Sequence, residues 1–191
     1  MKFRSFELSG PLEIIPHKNE DERGYFSEIF RLNSLAEHVP GVVFVQDNQS
    51  LSVRRGTVRG LHFQTNPKAQ GKLVRSLFGE LFDVAVDLRS DSPTYGHWVS
   101  VILSSDENNQ LWVPPGFGHG FCTLEPNAII SYRVTEYYSP EHDKGVSWDD
   151  PDINISWPEF ADPETLSSKD RHQPRLADLP AYFSLKDHEC V

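Results

Sequence analysis

RGLHFQ, Arg59 to Gln64, sets an arginine, a histidine and a glutamine around a glycine and two apolar residues, in a run that reads as a β-strand. Period-two alternation puts Gly60, His62 and Gln64 on one face and Arg59, Leu61 and Phe63 on the other. If Arg59 is to share a pocket with His62, a bulge at Gly60 must re-aim it, or a second subunit must. The best partner segment is VPPGFGHGF, Val113 to Phe121, where prolines and glycines make a tight turn and deliver His119 just before an apolar strand resumes. Between the two lie Gln70 and Lys72. The pair predicts an acid/base site inside a small β-barrel.

Working outward, DERGYFSEIF (21–30) reads as a turn and then a strand with Phe26, Glu28 and Phe30 on one face. A short helix is expected at Asn33 to His38, capped by Asn33 or Ser34 and stopped by Pro40-Gly41. Val42 to Val45 reads as a buried strand running into the polar QDNQSLS. KLVRSLFGELFDVAVDLR, Lys72 to Arg89, reads as a β-hairpin turning at Phe78-Gly79-Glu80; its second arm alternates Phe82, Val84, Val86, Leu88 against Leu81, Asp83, Ala85, Asp87. Further strands are expected at His97 to Leu103, Gln110 to Val113, Gly120 to Leu124 and Ala128 to Glu136. So many short strands with few helical periods indicate an all-β sandwich or barrel. After Trp157-Pro158 the pattern changes to Pro, Asp and Ser with weak helical stretches, a non-β tail packed on the barrel. The expected organisation is one domain over residues 1–191, with the barrel core at about 12–157 and the tail at 158–191.

A formal charge of −10 and a pI near 5.2 argue against a nucleic-acid or anionic-membrane surface, so any anionic ligand must be met by a few locally placed cations. MKFRSFELSG has no long apolar run, and no stretch approaches the ~20 apolar residues of a membrane span, so a cytoplasmic protein is expected. Cys122 and Cys190 are too few for a disulfide framework, show no zinc spacing and read as two free thiols.

Taken singly, each polar candidate has an ordinary explanation. A lone histidine in an apolar strand, such as His62 or His119, is usually a hydrogen-bonded core residue. Tyr132, placed inward with Ile130 and Val134 by alternation, could fill space or give up a proton. Lys72 opens a strand and is by default a solvated edge residue; beside a carbonyl it would stabilise negative charge. Asp170 is by default a surface carboxylate. The segment P-x-G-x-x-H (114–119) resembles the second motif of cupin barrels. The first motif has only His62, where metal-binding cupins supply H-x-H and a carboxylate, so no metal is expected.

The ordered series DERGYFSEIF, QDNQS, RGLHFQ, QGKL, FDVAVDLR with SPTYG, WVPPGFGHGF, SYRVTEYYSP, and WDDP followed by LSSKD resembles the nucleotide-sugar 3,5-epimerases of the dTDP-4-dehydrorhamnose 3,5-epimerase family nearly end to end. The resemblance implies a cupin-type jelly-roll barrel with no cofactor or metal, and a homodimer whose N-terminal strand crosses the interface. It implies epimerisation at C3 and C5 of a dTDP-linked 4-keto-6-deoxyhexose. In the roles it suggests, His62 is the general base, Asp170 orients it, Tyr132 is the acid on the opposite face of the sugar, and Lys72 and His119 line the ring near the C4 oxygen. Arg23, Phe26 and Glu28 fall where the family contacts the nucleotide, and Gln46, Asn48, Arg59 and Tyr138 also fall in its binding site. Phe63, Gly118 and Arg133 depart from the residues common in the family, and none of the three removes a proposed catalytic group. Epimerisation at one centre only, a metal-dependent cupin reaction and a non-catalytic sugar-nucleotide binding module are the competing expectations.

Overall fold

The computed structural model describes residues 1–188, so Cys190 lies outside the described residues; Cys122 is free and buried. Two antiparallel sheets make the body. In spatial order, the first holds β1 (Lys2–Ser5), β2 (Leu12–Ile15), β10 (Gln110–Val113), β7 (Lys72–Phe78), β12 (Ala128–Val134) and β5 (Gln46–Ser52). The second holds β13 (Asp143–Gly145), β6 (Val58–Gln64), β11 (Phe117–Thr123), β8 (Glu80–Asp87) and β9 (Trp98–Ser104). A separate two-stranded arm is formed by β3 (Lys18–Asp21) and β4 (Gly24–Ser27). The two sheets face each other as a cupin-type jelly roll, their inner faces meeting in a core that includes Leu81, Ala85, Phe117 and Phe121 from one and Val74, Leu111, Val113 and Ile130 from the other.

The alternation read along the second arm of Lys72–Arg89 holds, but the hairpin does not. β7 pairs with β10 and β12, whereas β8 pairs with β11 and β9, so at Gly79 (φ +74°) the chain crosses from one sheet to the other. Both strands carry an inward apolar face, and placing them on opposite walls buries those faces against each other. The polar run Gln46–Ser52 is itself the strand β5, while Val42–Val45 lies outside any strand, with Val42 buried and Val43 exposed. The helix α1 is Leu32–Ala36; Asn33 and Ser34 sit inside it, and its N-cap Arg31 makes no side-chain cap bond. Leu35 holds this helix by packing with Leu12, Ile14, Val42, Leu73 and Trp112 on the outer side of the six-stranded sheet. The sheet begins at Lys2, earlier than the apolar run at Leu12 suggests, because β1 pairs along the whole of β2.

The outer face of the five-stranded sheet explains the tail. Leu61, Phe63, Val84, Val86 and Leu88 would face water there, and Val146, Ile153, Leu176 and Phe183 cover them. Each such side chain contributes about 1.5–3 kcal/mol when buried, so a segment of short 3-10 turns stays ordered on the barrel. Parallel bridges Thr57–Asp162 and Arg89–Phe183 tie it down.

Candidate active site

The site is built on β6, and β6 is irregular where the sequence requires it. Its pairing with β11 shifts between His119–His62 and Phe121–Arg59, a bulge at Gly60. Gly60 has φ +126°, and a Cβ there would lie 2.6 Å from the Gly120 Cα, so no larger residue fits. The extra residue inverts the alternation. Val58 and Leu61 both point to the tail side, and Arg59 joins His62 on the inner face. Arg59 then reaches across to β5 in the opposite sheet, donating from Nε to Ser52 Oγ (3.2 Å) and from Nη2 to the Leu51 carbonyl (3.2 Å).

His62 is one-third exposed, and its Nε2 lies 2.5 Å from Asp170 Oδ1. The turn Asp170–His172 in the tail brings that carboxylate in, buried rather than on the surface where its sequence context would leave it. Burial alone would raise the Asp170 carboxyl, but the bond from His62, its charge and the Ser167 hydroxyl outweigh it and hold it below the usual 3.8. A carboxylate at Nε2 keeps the proton on that nitrogen and leaves Nδ1 as the basic atom.

Lys72, at the start of β7, is buried and not a solvated edge; its Nζ donates to the His62 carbonyl (3.2 Å). Burial pushes its ammonium down to about 8, with Asp143 and Asp83 pulling the other way. Tyr132 projects inward from β12, packed against the interior core. Its hydroxyl is raised above 10.0 chiefly by burial; Arg59 lowers it and Asp143 raises it. His62 and Tyr132 thus come from opposite sheets, facing each other across the barrel with Lys72 beside them. That arrangement can take a proton from one face of a bound carbon acid, hold the resulting oxyanion, and return a proton from the other face.

Gln46 and Asn48 are cross-strand partners of Val134 and Tyr132, so they share the inner face of β5; Gln46 Nε2 donates to Asn48 Oδ1 (2.7 Å), and Gln46 Oε1 accepts from the Tyr138 amide (3.1 Å). The Tyr138 ring is exposed, its hydroxyl on Asp143 Oδ2 (3.1 Å). His119 is buried with its Nε2 on Asp83. Arg23, Phe26 and Glu28 stay apart. Arg23 pairs with Asp21 and Glu28 with Arg31, Phe26 is 72% exposed, and none of the three touches the interior group.

Two carboxylates escaped the sequence reading. Asp83 was visible in principle, as an acid alternating with Leu81, Ala85 and Asp87 on the face that turns inward. Asp143, which takes an ion pair from Lys169 at 2.5 Å, sits in the short strand β13 that no periodicity announces. Among the described residues no group of three or more His, Cys, Asp or Glu is placed to hold a metal ion, and no helix is long and apolar enough to cross a membrane.

A family model described as dTDP-4-dehydrorhamnose 3,5-epimerase matches residues 5–178. A dTDP-4-dehydrorhamnose 3,5-epimerase of Sinorhizobium fredii is 55% identical over 183 residues, 96% of this chain and 93% of the relative. The Methanothermobacter thermautotrophicus enzyme of the same name is 50% identical over 95% of this chain and 98% of its own length. The crystal structure of dTDP-6-deoxy-D-glucose-3,5-epimerase from Legionella pneumophila, in complex with dTDP-4-keto-L-rhamnose, superposes with a TM-score of 0.87 at 42% identity, covering 94% of this chain and 95% of that one. With a match of this length and the inner wall described above, the chain belongs to the dTDP-4-dehydrorhamnose 3,5-epimerase family.

Proposed function

We propose that this protein epimerises a dTDP-4-keto-6-deoxyhexose at C3 and C5, converting dTDP-4-dehydro-6-deoxyglucose to dTDP-4-dehydrorhamnose. The observation that carries the reading is the placement of His62 and Tyr132 on opposite walls with the Lys72 ammonium on the His62 carbonyl. In a 4-keto sugar the hydrogens at C3 and C5 are α to the ketone. His62 Nδ1 takes one of them; the C–H electron pair becomes the new C=C bond, and the carbonyl π pair moves to the C4 oxygen. Histidine is too weak a base for an unactivated C–H, so the enolate must be stabilised, and the Lys72 ammonium is the donor for it. Tyr132 then delivers a proton to the opposite face, which inverts the centre. A single histidine working from one face would only restore the original configuration.

The arm supports the further proposal of a homodimer. Arg23, Phe26 and Glu28 bond to none of the inner-wall residues of their own chain, and an arm laid across a second copy would bring them to the diphosphate and base of a nucleotide bound there. Arg59, Gln46, Asn48 and Tyr138 would complete that subsite from within the chain. A cytoplasmic location is part of the same proposal.

The test is proton NMR of dTDP-4-keto-6-deoxyglucose incubated with chelator-treated protein in D2O. Deuterium is expected at both C3 and C5. Label at one centre only would make the protein a mono-epimerase with the same catalytic pair, and no exchange at either would overturn the reading.

A further inference from the structure

The inner face of the five-stranded sheet carries a second histidine–carboxylate pair. His119 Nε2 lies 3.0 and 3.1 Å from the two oxygens of Asp83, and the Asp83 carboxylate is wholly buried with no other hydrogen-bond partner among the described residues. A carboxylate only accepts, so Nε2 carries a proton, and Nδ1, which in a ring with that one proton is an acceptor, has no partner among the described residues. His119 is the cross-strand partner of His62, whose carbonyl receives the Lys72 ammonium. The wall around the His62 base therefore brings together the Lys72 ammonium, on the His62 carbonyl, and the open Nδ1 of His62's cross-strand partner His119.

Such a pair matches a ketone whose neighbouring carbon bears a hydroxyl. Resting on the epimerase reading above, we propose that Asp83 is a positioning residue that fixes His119 as the acceptor for the sugar C3 hydroxyl while Lys72 meets the C4 ketone, so that this wall selects an α-hydroxy ketone and not a ketone alone. When C3 loses its hydrogen and becomes planar, the hydroxyl remains on it, and the bond to Nδ1 can persist through the inversion. His119 could donate to the C4 oxygen only with a second proton on its ring, which would set a cation beside the Lys72 ammonium. Of the other charged groups near this wall, Asp143 and Lys169 act on Lys72 and Arg59 and Asp143 act on Tyr132, and among the described residues none of them bonds to the His119 ring.

Deuterium exchange at C5 tests this, measured for dTDP-4-keto-6-deoxyglucose and for its 3-deoxy counterpart, which keeps the ketone and C5 but lacks the hydroxyl. The wild-type protein is expected to show a kcat/KM at least ~10²-fold lower for the 3-deoxy sugar, since a site built to bond a hydroxyl rejects the analogue without one. Asp83→Asn should shrink that ratio at least tenfold. In long-range 1H–15N spectra of wild-type protein, the ring signal that disappears in His119→Gln should show one protonated nitrogen and one bare one. Equal kcat/KM for both sugars in the wild-type protein, or a ring protonated on both nitrogens, overturns the inference; both readouts stand even if Asp83→Asn does not fold. No exchange with either sugar would instead overturn the epimerase reading on which it rests.

Discussion

The inner wall of the barrel and the Lys18–Ser27 arm hold their polar residues under opposite conditions. On the wall, Lys72, His119, Asp83 and Asp170 are all under 9% exposed, and each has a defined partner. On the arm, Arg23 has a side chain 84% exposed, paired only with a neighbour two residues away. Burial is what changes the chemistry: it moves the Lys72 ammonium toward neutrality and the Tyr132 hydroxyl away from ionisation, whereas the exposed pairs of the arm are screened by water. In the proposed function the wall moves protons and the arm grips the nucleotide.

The sharpest way to break this contrast is to remove the two groups that face each other across the barrel. His62→Ala or Tyr132→Phe should each lower proton exchange by ~10²–10⁴ while leaving dTDP binding, followed by calorimetry, within a fewfold of the parent. Loss of binding in both would show the wall to be part of the grip. A smaller effect, ~10²–10³ in kcat, is expected of Lys72→Met as loss of an oxyanion donor. The sign of its pH dependence follows from burial. The ammonium is the majority form below pH about 8 and is lost above it, so wild-type kcat should fall on the alkaline side through that range. In Lys72→Arg, whatever activity survives should lack that alkaline limb, because guanidinium stays charged.

Gly60→Ala tests the wall through its geometry. With φ +126° and the Gly120 Cα 2.6 Å from the added carbon, the substitution should cost at least ~2 kcal/mol of stability, read by urea unfolding. A fully stable variant would mean the bulge is not what brings Arg59 inward. The smallest effect belongs to the arm. Arg23→Ala should raise KM about tenfold with kcat little changed, and its thermal unfolding should match the parent because the side chain lies in water. A tenfold fall in kcat at unchanged KM would erase the distinction between the two regions.

Much of this was legible in the chain. Alternation along Phe82–Leu88 separated the inner from the outer face of β8, and the glycine in RGLHFQ marked the place where Arg59 had to be turned. The polar run Gln46–Ser52 was harder, since an edge strand with side chains lining a hydrophilic interior lacks the apolar alternation that identifies a buried strand. The Lys72–Arg89 run misled for a related reason. A glycine between two alternating arms looks the same whether the arms pair with each other or part to opposite sheets, because local pattern sets which face is apolar and not which edge is already occupied.

By itself the sequence determined the class of fold, the inner and outer faces of regular strands such as β8, and, through its series of motifs, which side chains were candidates for the site. Only the tertiary structure decided that Asp170, 108 residues from His62 along the chain, would close on it, that Asp83 would hold His119, and that the arm's residues would stand clear of the wall. These contacts depend on how two sheets and a tail pack, and packing joins residues whose separation in the chain carries no periodic signal.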